Sequence, residues 1–374
     1  MWPFRPRRRI VVPRQEIGDF VVALYANARH PWVTCLIAAL CAGNFLWMCF
    51  SGGSFLETFL EPGGDAVFRA GGNLPWATLA GEPWRLLSSA FVHVGALHLF
   101  FNLYVLLVTG PTVERLFGHA LYALVYAGAA ISGSLLTSAM RMDVVSAGAS
   151  GALFGLFGAL LAYALRCRGG IPDPIRGKMV QNAIVCVILN FAYGATRPNI
   201  DNWCHLGGLI GGFLCGCVAA LPLRPQDRES SVFSRFVQLA ILLPVLAVPA
   251  FLHLRATRPW RYPAALLQCR HIQERFEAEH PEVFQPAEDP SAEELFHWLG
   301  LQIDALYDPQ IALLEAVPPT GMTKEDARQL SRRIAWIKAI REAFALHRRM
   351  LEENNPALRP EVEALYFKAH RMSP

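Results

Sequence analysis

The stretch "SAGASGALFGLFGALLAYAL", residues 146–165, carries no charged side chain over its 20 positions and sets the hydroxyl of Ser150 between glycines near its opening. An apolar run of this length is enough for a helix to cross a bilayer, which takes roughly 17–25 residues. Serine at the mouth of such a helix is most often structural: it bonds a backbone carbonyl, or its small size lets two helices touch. Whether Ser150 does more depends on what the rest of the chain can bring to it.

The 374 residues are 53% hydrophobic and 17% charged, against about 25% charged in an ordinary soluble protein. The deficit is uneven, since residues 32–254 are poor in charge and 259–374 are rich in it. This pattern reads as a membrane domain followed by a soluble one. The net charge of +4 is modest, and nothing else favours a nucleic-acid partner. Eight of the nine cysteines lie in or beside apolar segments and Cys269 stands alone, so neither a disulfide framework nor a metal site is expected. No spacing calls for an organic cofactor. The opening "MWPFRPRRRI" lacks the apolar core of a cleavable signal, and the run from Trp32 reads as a retained anchor.

Seven apolar segments are expected, near 32–50, 86–109, 119–140, 149–166, 179–196, 204–222 and 236–254. Gly95 in "FVHVGALHLFFN" allows the second helix to begin at Ala96 instead. The fold class is therefore an all-α polytopic membrane protein. Its expected parts are a basic arm (1–30), a six-helix core (31–222), a loop with a seventh transmembrane helix (223–258), and a soluble helical C-terminal domain (259–374).

Arg5, Arg7, Arg8, Arg9, Arg14 and Arg29 in the arm, Arg166, Arg168, Arg176 and Lys178 after segment four, and Arg224, Arg228 and Arg235 after segment six share one parity. Loops of the other parity before segment seven hold only Arg69, Arg85, Arg141 and Arg197. By the positive-inside rule the N-terminus is cytoplasmic. Parity then puts the C-terminal domain outside, although Arg255, Arg258 and Arg261 weaken that assignment. In that domain Ser291 and Glu294 form a capping-box pattern ahead of Leu295, Trp298, Leu299 and Ile303, and Leu330, Ile334, Ile337, Phe344 and Leu351 stripe a long helix. It carries no catalytic constellation and is a candidate for docking a protein partner.

Ionisable side chains in spanning segments are costly, so each is a functional candidate. Well inside the seven segments they are few: His93 and His98 in the second, His205 in the sixth. His98, Ser150 and His205 all fall within the first residues of even-numbered segments, which enter from the same outer face. Asn102 follows His98 by one turn and shares its face. Gly208, Gly212 and Gly216 on segment six can meet Gly151, Gly155 and Gly158 on segment four, and glycine faces let helix backbones pack closely. That packing would bring the Ser150 hydroxyl to the His205 imidazole. A neutral imidazole is a suitable base for a serine nucleophile, and His98, Asn102 and the Ser150 N–H are candidate donors to an oxyanion. Asp201, four residues before His205, is a conceivable third member, but it lies in a connecting loop and a dyad is the simpler reading. A soluble-type nucleophile elbow at Gly148–Ala152 lacks the strand it would need. A transporter would want its polar residues at the midplane.

"GASGALFG" around Ser150, "HLFFN" from His98 and "HLGGLIGG" from His205 together resemble the rhomboid intramembrane serine proteases over roughly residues 32–222. "WR" at Trp84–Arg85, "GPTVERLFG" with Glu114 and Gly118, and the histidine pair His93 and His98 extend the likeness. The resemblance implies Ser150 as nucleophile, His205 as general base, and His98, Asn102 and the Ser150 amide as the oxyanion site. It further implies that Trp84 and Arg85 stabilise the first loop, that Glu114 is a structural acid, and that His93 orders a loop. Gly148 would hold the turn before the nucleophile, Phe154 would set an aromatic ring beside the histidine, and Gly208 and Gly212 would seat helix six on helix four. The implied activity is endopeptidase cleavage of single-span membrane proteins near the outer face, through an acyl-enzyme. The alternative is an inactive relative that binds membrane clients. The expected location is a bacterial inner membrane, with a eukaryotic secretory membrane as the alternative.

Overall fold

The computed structural model describes residues 14–51, 54–142, 144–197, 199–223, 228–258, 260–284, 290–318 and 322–372. Arg5, Arg7, Arg8, Arg9 and Arg224 therefore lie outside the described residues. The described residues form helices and one isolated bridge, without named strands. The chain divides into two compact units, Met1–Leu254 and Arg255–Pro374.

The first unit begins with α1 (Arg14–Asn27) and continues through α2 (Trp32–Ser51), α3 (Ala96–Phe117), α4 (His119–Met140), α5 (Ser150–Arg166), α6 (Asp173–Ala195), α7 (Asn202–Ala219) and α8 (Arg228–Thr257). Six of these, α2, α3, α4, α6, α7 and α8, are long and apolar enough to cross a membrane. The protein is an all-α, multi-pass membrane protein. The seventh apolar helix, α5, is short because it sits in the middle: 13 of its 17 residues are buried, packed among α3, α4 and α7. At 1.5 Å per residue it is about 25 Å long, some 5 Å short of a typical hydrocarbon core. One of its ends must stop inside the bilayer, and irregular backbone at that depth is tolerated only when protein surrounds it.

The loop between α2 and α3, with four short α-helices and the 3-10 turn Ser89–Phe91 that packs against α5, helps supply that surround on the Ser150 side. Asn73 of this loop exchanges both main-chain hydrogen bonds with Ser146, at 2.8 Å each, which holds the extended approach to α5. The loop in turn is organised by Arg85, which is buried. Its guanidinium lies over the rings of Phe68 and Trp84, donates to the carbonyls of Phe68 (2.6 Å) and Gly72 (3.0 Å), and pairs with Glu82.

Several helix boundaries differ from expectation: α6 begins at Asp173 rather than near 179, and α8 at Arg228 rather than near 236. Segment two, expected to end near 109, continues as α3 through Pro111 to Phe117. The extra turns place Glu114, completely buried, against the N-terminus of α2. There its carboxylate accepts from the N–H groups of Val33 (2.9 Å) and Thr34 (2.8 Å) and from the Thr34 hydroxyl (2.6 Å), and it also meets His119. First-turn N–H groups have no partner within their own helix, and a carboxylate satisfies both their valence and their positive end. The basic arm also contains an unanticipated helix, α1, whose Phe20 is buried in the core and whose Tyr25 stacks with Arg115. Ile17, Phe20, Val21 and Leu24 show the spacing of an amphipathic face.

Helix α8 leaves most of its apolar side chains exposed, Phe233, Ile241, Val245 and Leu252 among them, as a lipid-facing helix should. Leu243 fills the notch over Gly128 of α4.

The second unit contains α9 (Arg261–Glu279), α10 (Ala292–Leu301), α11 (Asp308–Glu315), α12 (Lys324–Glu352) and α13 (Arg359–Met372). The Ser291–Glu294 capping box opens α10, and a second box from Thr323 and Asp326 opens α12. Of the expected apolar positions, Leu299, Ile303, Leu330 and Ile337 are buried. A π-helical segment, Gln302–Tyr307, shifts the register between α10 and α11. Gln310 ties α11 to α9 by donating to the Cys269 carbonyl at 3.3 Å. Burial pushes the phenols of Tyr307 and Tyr366 up to about 12, so Tyr366 keeps its proton and meets Nδ1 of His347 at 3.2 Å.

Candidate active site

The N-termini of α5 and α7 come together because glycine faces glycine. A methyl group on Gly208 would collide with the carbonyl of Gly151, and one on Gly212 with the carbonyl of Gly155. Only glycine permits backbones this close. The approach leaves the Ser150 hydroxyl 2.9 Å from Nε2 of His205. Substituting Gly208 by valine should cost about 1–3 kcal/mol of stability through overpacking and break this contact. Thermal unfolding in detergent and serine-probe labelling of the variant check both halves of that prediction.

The imidazole of His205 is held by its faces. The Phe154 ring, one turn after Ser150 on α5, stacks on it at 4.3 Å and 9°. Phe191 of α6 approaches the edges of both, 5.0 Å from Phe154 and 6.2 Å from His205. His205 is buried, and its Nδ1 has no hydrogen-bond partner among the described residues. Asp201, the conceivable third member, points elsewhere. Its carboxylate accepts from Trp203 N, Cys204 N and the Thr137 hydroxyl.

His98 stands on the other side of Ser150. Its Nδ1 accepts from the N–H of Val94 at 3.2 Å, so the proton of the neutral ring belongs on Nε2. That nitrogen edge faces Gly148, where a methyl group would lie 3.0 Å from Nε2, 2.7 Å from Cε1 and 3.7 Å from the Ser150 hydroxyl. Gly148 has φ +130°, a conformation that favours glycine, and its N–H is fixed to the Ser89 carbonyl at 2.9 Å. Asn102 is buried one turn further along α3. One N–H of its amide goes to the His98 carbonyl at 2.8 Å, which leaves the other free. His93 is completely enclosed, with its ring centroid 5.3 Å from that of His98.

Ser150, His205, His98, Gly148 and Phe154 thus share one place, with Asn102 beside His98. Trp84 and Arg85 act on the first loop. Glu114 is 16 residues along α3 from His98, about 24 Å away, and belongs to the far end of the bundle. Nothing in the sequence marks the polar stitching behind the loop that precedes Ser150. There Asn73 donates to the Ser134 carbonyl and accepts from Thr78, and the hydroxyls of Ser89 and Ser134 meet at 3.2 Å. Phe191 was equally unmarked, being one of many apolar residues on its helix. Among the described residues no cluster of His, Cys, Asp and Glu has the arrangement to hold a metal ion.

Residues 80–222 match the family description Rhomboid domain. The chain is 34% identical over 300 residues to Rhomboid protease GluP of Bacillus subtilis (strain 168), an alignment that covers 80% of this chain and 53% of the relative. The chain thus spans about half the length of that relative. It is 32% identical over 225 residues to RHOMBOID-like protein 7 of Arabidopsis thaliana, covering 60% of this chain and 69% of that protein. RHOMBOID-like protein 6, mitochondrial, of Arabidopsis thaliana is 31% identical over 222 residues. On these similarities the chain belongs to the rhomboid family.

Proposed function

We propose that the chain is an active intramembrane serine endopeptidase working by a Ser150–His205 dyad. The observation that carries this reading is the 2.9 Å contact between the Ser150 hydroxyl and Nε2 of a histidine clamped by an aromatic face. His205 takes the hydroxyl proton as Ser150 Oγ attacks the scissile carbonyl, and the carbonyl oxygen becomes an oxyanion. Nε2–H of His98, the free N–H of Asn102 and the Ser150 amide donate to it. The tetrahedral intermediate collapses, the C–N bond breaks, and the imidazolium returns its proton to the leaving amine. Water, deprotonated by the same imidazole, then releases the acyl group from Ser150. Ser150 and His98 are only partly buried, which leaves that water a route.

Substrates in this reading are single-span membrane proteins whose helices unwind near the outer face and offer small residues at the cut. The cytoplasmic N-terminus follows from the arginine distribution, and a bacterial inner membrane is the proposed location. The C-terminal unit is proposed to dock a protein partner.

The test is cleavage of single-span reporter proteins by the purified chain in proteoliposomes, with cut sites read by mass spectrometry. Cleavage within or next to the transmembrane segment by the wild type, absent with Ser150→Ala, supports the reading. Retention of reporters by wild type and Ser150→Ala alike, without cleavage by either, would instead favour a client-binding protein.

A further inference from the structure

The side chains of Asp201 and Thr137 bond to neither side chain of the dyad, yet they hold the helical turn that presents His205. Asp201 immediately precedes α7. Its Oδ1 accepts from the N–H groups of Trp203 (3.1 Å) and Cys204 (3.0 Å), and its own carbonyl accepts from the N–H of His205 (3.2 Å). An acidic N-cap satisfies first-turn donors in this way. Its Oδ2 is occupied as well, by the hydroxyl of Thr137 on α4 at 2.6 Å. Thr137 is completely buried. Its oxygen also lies 3.2 Å from the Gly133 carbonyl, but a hydroxyl has one proton and the charged acceptor is the nearer. One turn back on α4, Gly133 packs so closely on the Cys204 carbonyl that a methyl group there would sit 2.8 Å from it.

These contacts do what the glycine faces cannot. Gly208 against Gly151 sets how near α7 comes to α5, but a smooth glycine face offers little resistance to rotation of α7 about its own axis. A side-chain tip lies about 5–6 Å off a helix axis, so a rotation of about 10° moves it by about 1 Å. A displacement of about 1 Å at a reacting group is enough to cost on the order of 10²-fold in rate. We infer that Asp201, pinned by Thr137, is a positioning residue that fixes the rotation of α7 and with it the Ser150–His205 distance. This rests on the reading of Ser150 and His205 as the dyad.

The experiment compares Asp201→Ala, Asp201→Asn, Thr137→Val, Thr137→Ser and the double variant Asp201→Ala/Thr137→Val. All are full-length proteins in proteoliposomes with one cleaved reporter, and a thermal midpoint is recorded for each. Thr137→Val is nearly isosteric and keeps the fold testable if Asp201→Ala does not. Expected are kcat losses on the order of 10- to 100-fold for Asp201→Ala and Thr137→Val, with KM within about threefold of wild type. Asn still accepts from Trp203 and Cys204 and its amide can meet the threonine hydroxyl, so Asp201→Asn recovers most of the rate, as does Thr137→Ser. The double variant is no slower than Asp201→Ala, since the two side chains act through one bond. Wild-type kcat in Thr137→Val, additive losses in the double variant, or failure of Asp201→Asn to recover the rate each overturns the inference while leaving the dyad standing. A wild type that cleaves nothing removes the dyad and this inference together.

Discussion

Replacing Ser150 or His205 by alanine should lower turnover of a transmembrane substrate by about 10⁴- to 10⁶-fold, and replacing both should lower it no further. The size follows from their interdependence. A serine hydroxyl is a poor nucleophile until a base removes its proton, and an imidazole without the serine has nothing to activate. Among the described residues no carboxylate bonds to Nδ1 of His205, and Asp201 is bonded to α4 and to its own helix, so the proton transfer falls to the two residues alone. Neither side chain holds the bundle together. Among the described residues the Ser150 hydroxyl has one hydrogen bond, to His205, and the α5–α7 seam is made by Gly151, Gly155, Gly208 and Gly212. Single-turnover cleavage in proteoliposomes, with thermal midpoints as a folding control, gives the answer. A double variant much slower than either single one would mean that the two residues act separately.

His98→Ala should lower kcat by about 10²- to 10³-fold with a smaller change in KM, the effect of removing one oxyanion donor. The ring is set for donation before any substrate arrives. Its Nδ1 is committed as acceptor to Val94 N–H, so Nε2–H points toward the space beside Gly148 and the Ser150 hydroxyl. The oxyanion exists only along the reaction path, so the lost bond weakens the transition state more than the bound substrate. Gly148 belongs to the same device, because a side chain there would fill the space that the oxyanion and the His98 edge must share. An equal loss in His98→Ala and in a folded Val94→Pro variant, which removes the N–H that orients the ring but keeps the imidazole, would assign the effect to ring orientation.

The candidate site is legible in the sequence for a physical reason. Lipid tolerates few polar side chains, so His98, Ser150 and His205 stand out among leucines and alanines, and helix parity brings them to one face. The glycine repeats of α7 were legible too, because backbone approach in a membrane leaves small residues as its trace. What escaped was set by contacts distant in sequence or by ordinary residue types. The Asn73–Ser146 bridge joins positions 73 residues apart with main-chain atoms that any residue carries. The passage of α3 beyond Pro111 depends on Glu114 finding the N-terminus of α2, some 80 residues earlier. Thr137 reads as a neutral helix residue until Asp201 is placed beside it. In the second unit, the π-helical Gln302–Tyr307 breaks the periodicity on which a face is counted.

The most direct measurement treats the purified protein in detergent with a fluorophosphonate and locates the adduct by mass spectrometry, beside Ser150→Ala and His205→Ala. The account predicts a single adduct on Ser150 in the wild type and none in either folded variant, because only a serine whose proton has a base nearby attacks phosphorus. Labelling that persists in folded His205→Ala, or a wild type that stays unlabelled while folded, would contradict it.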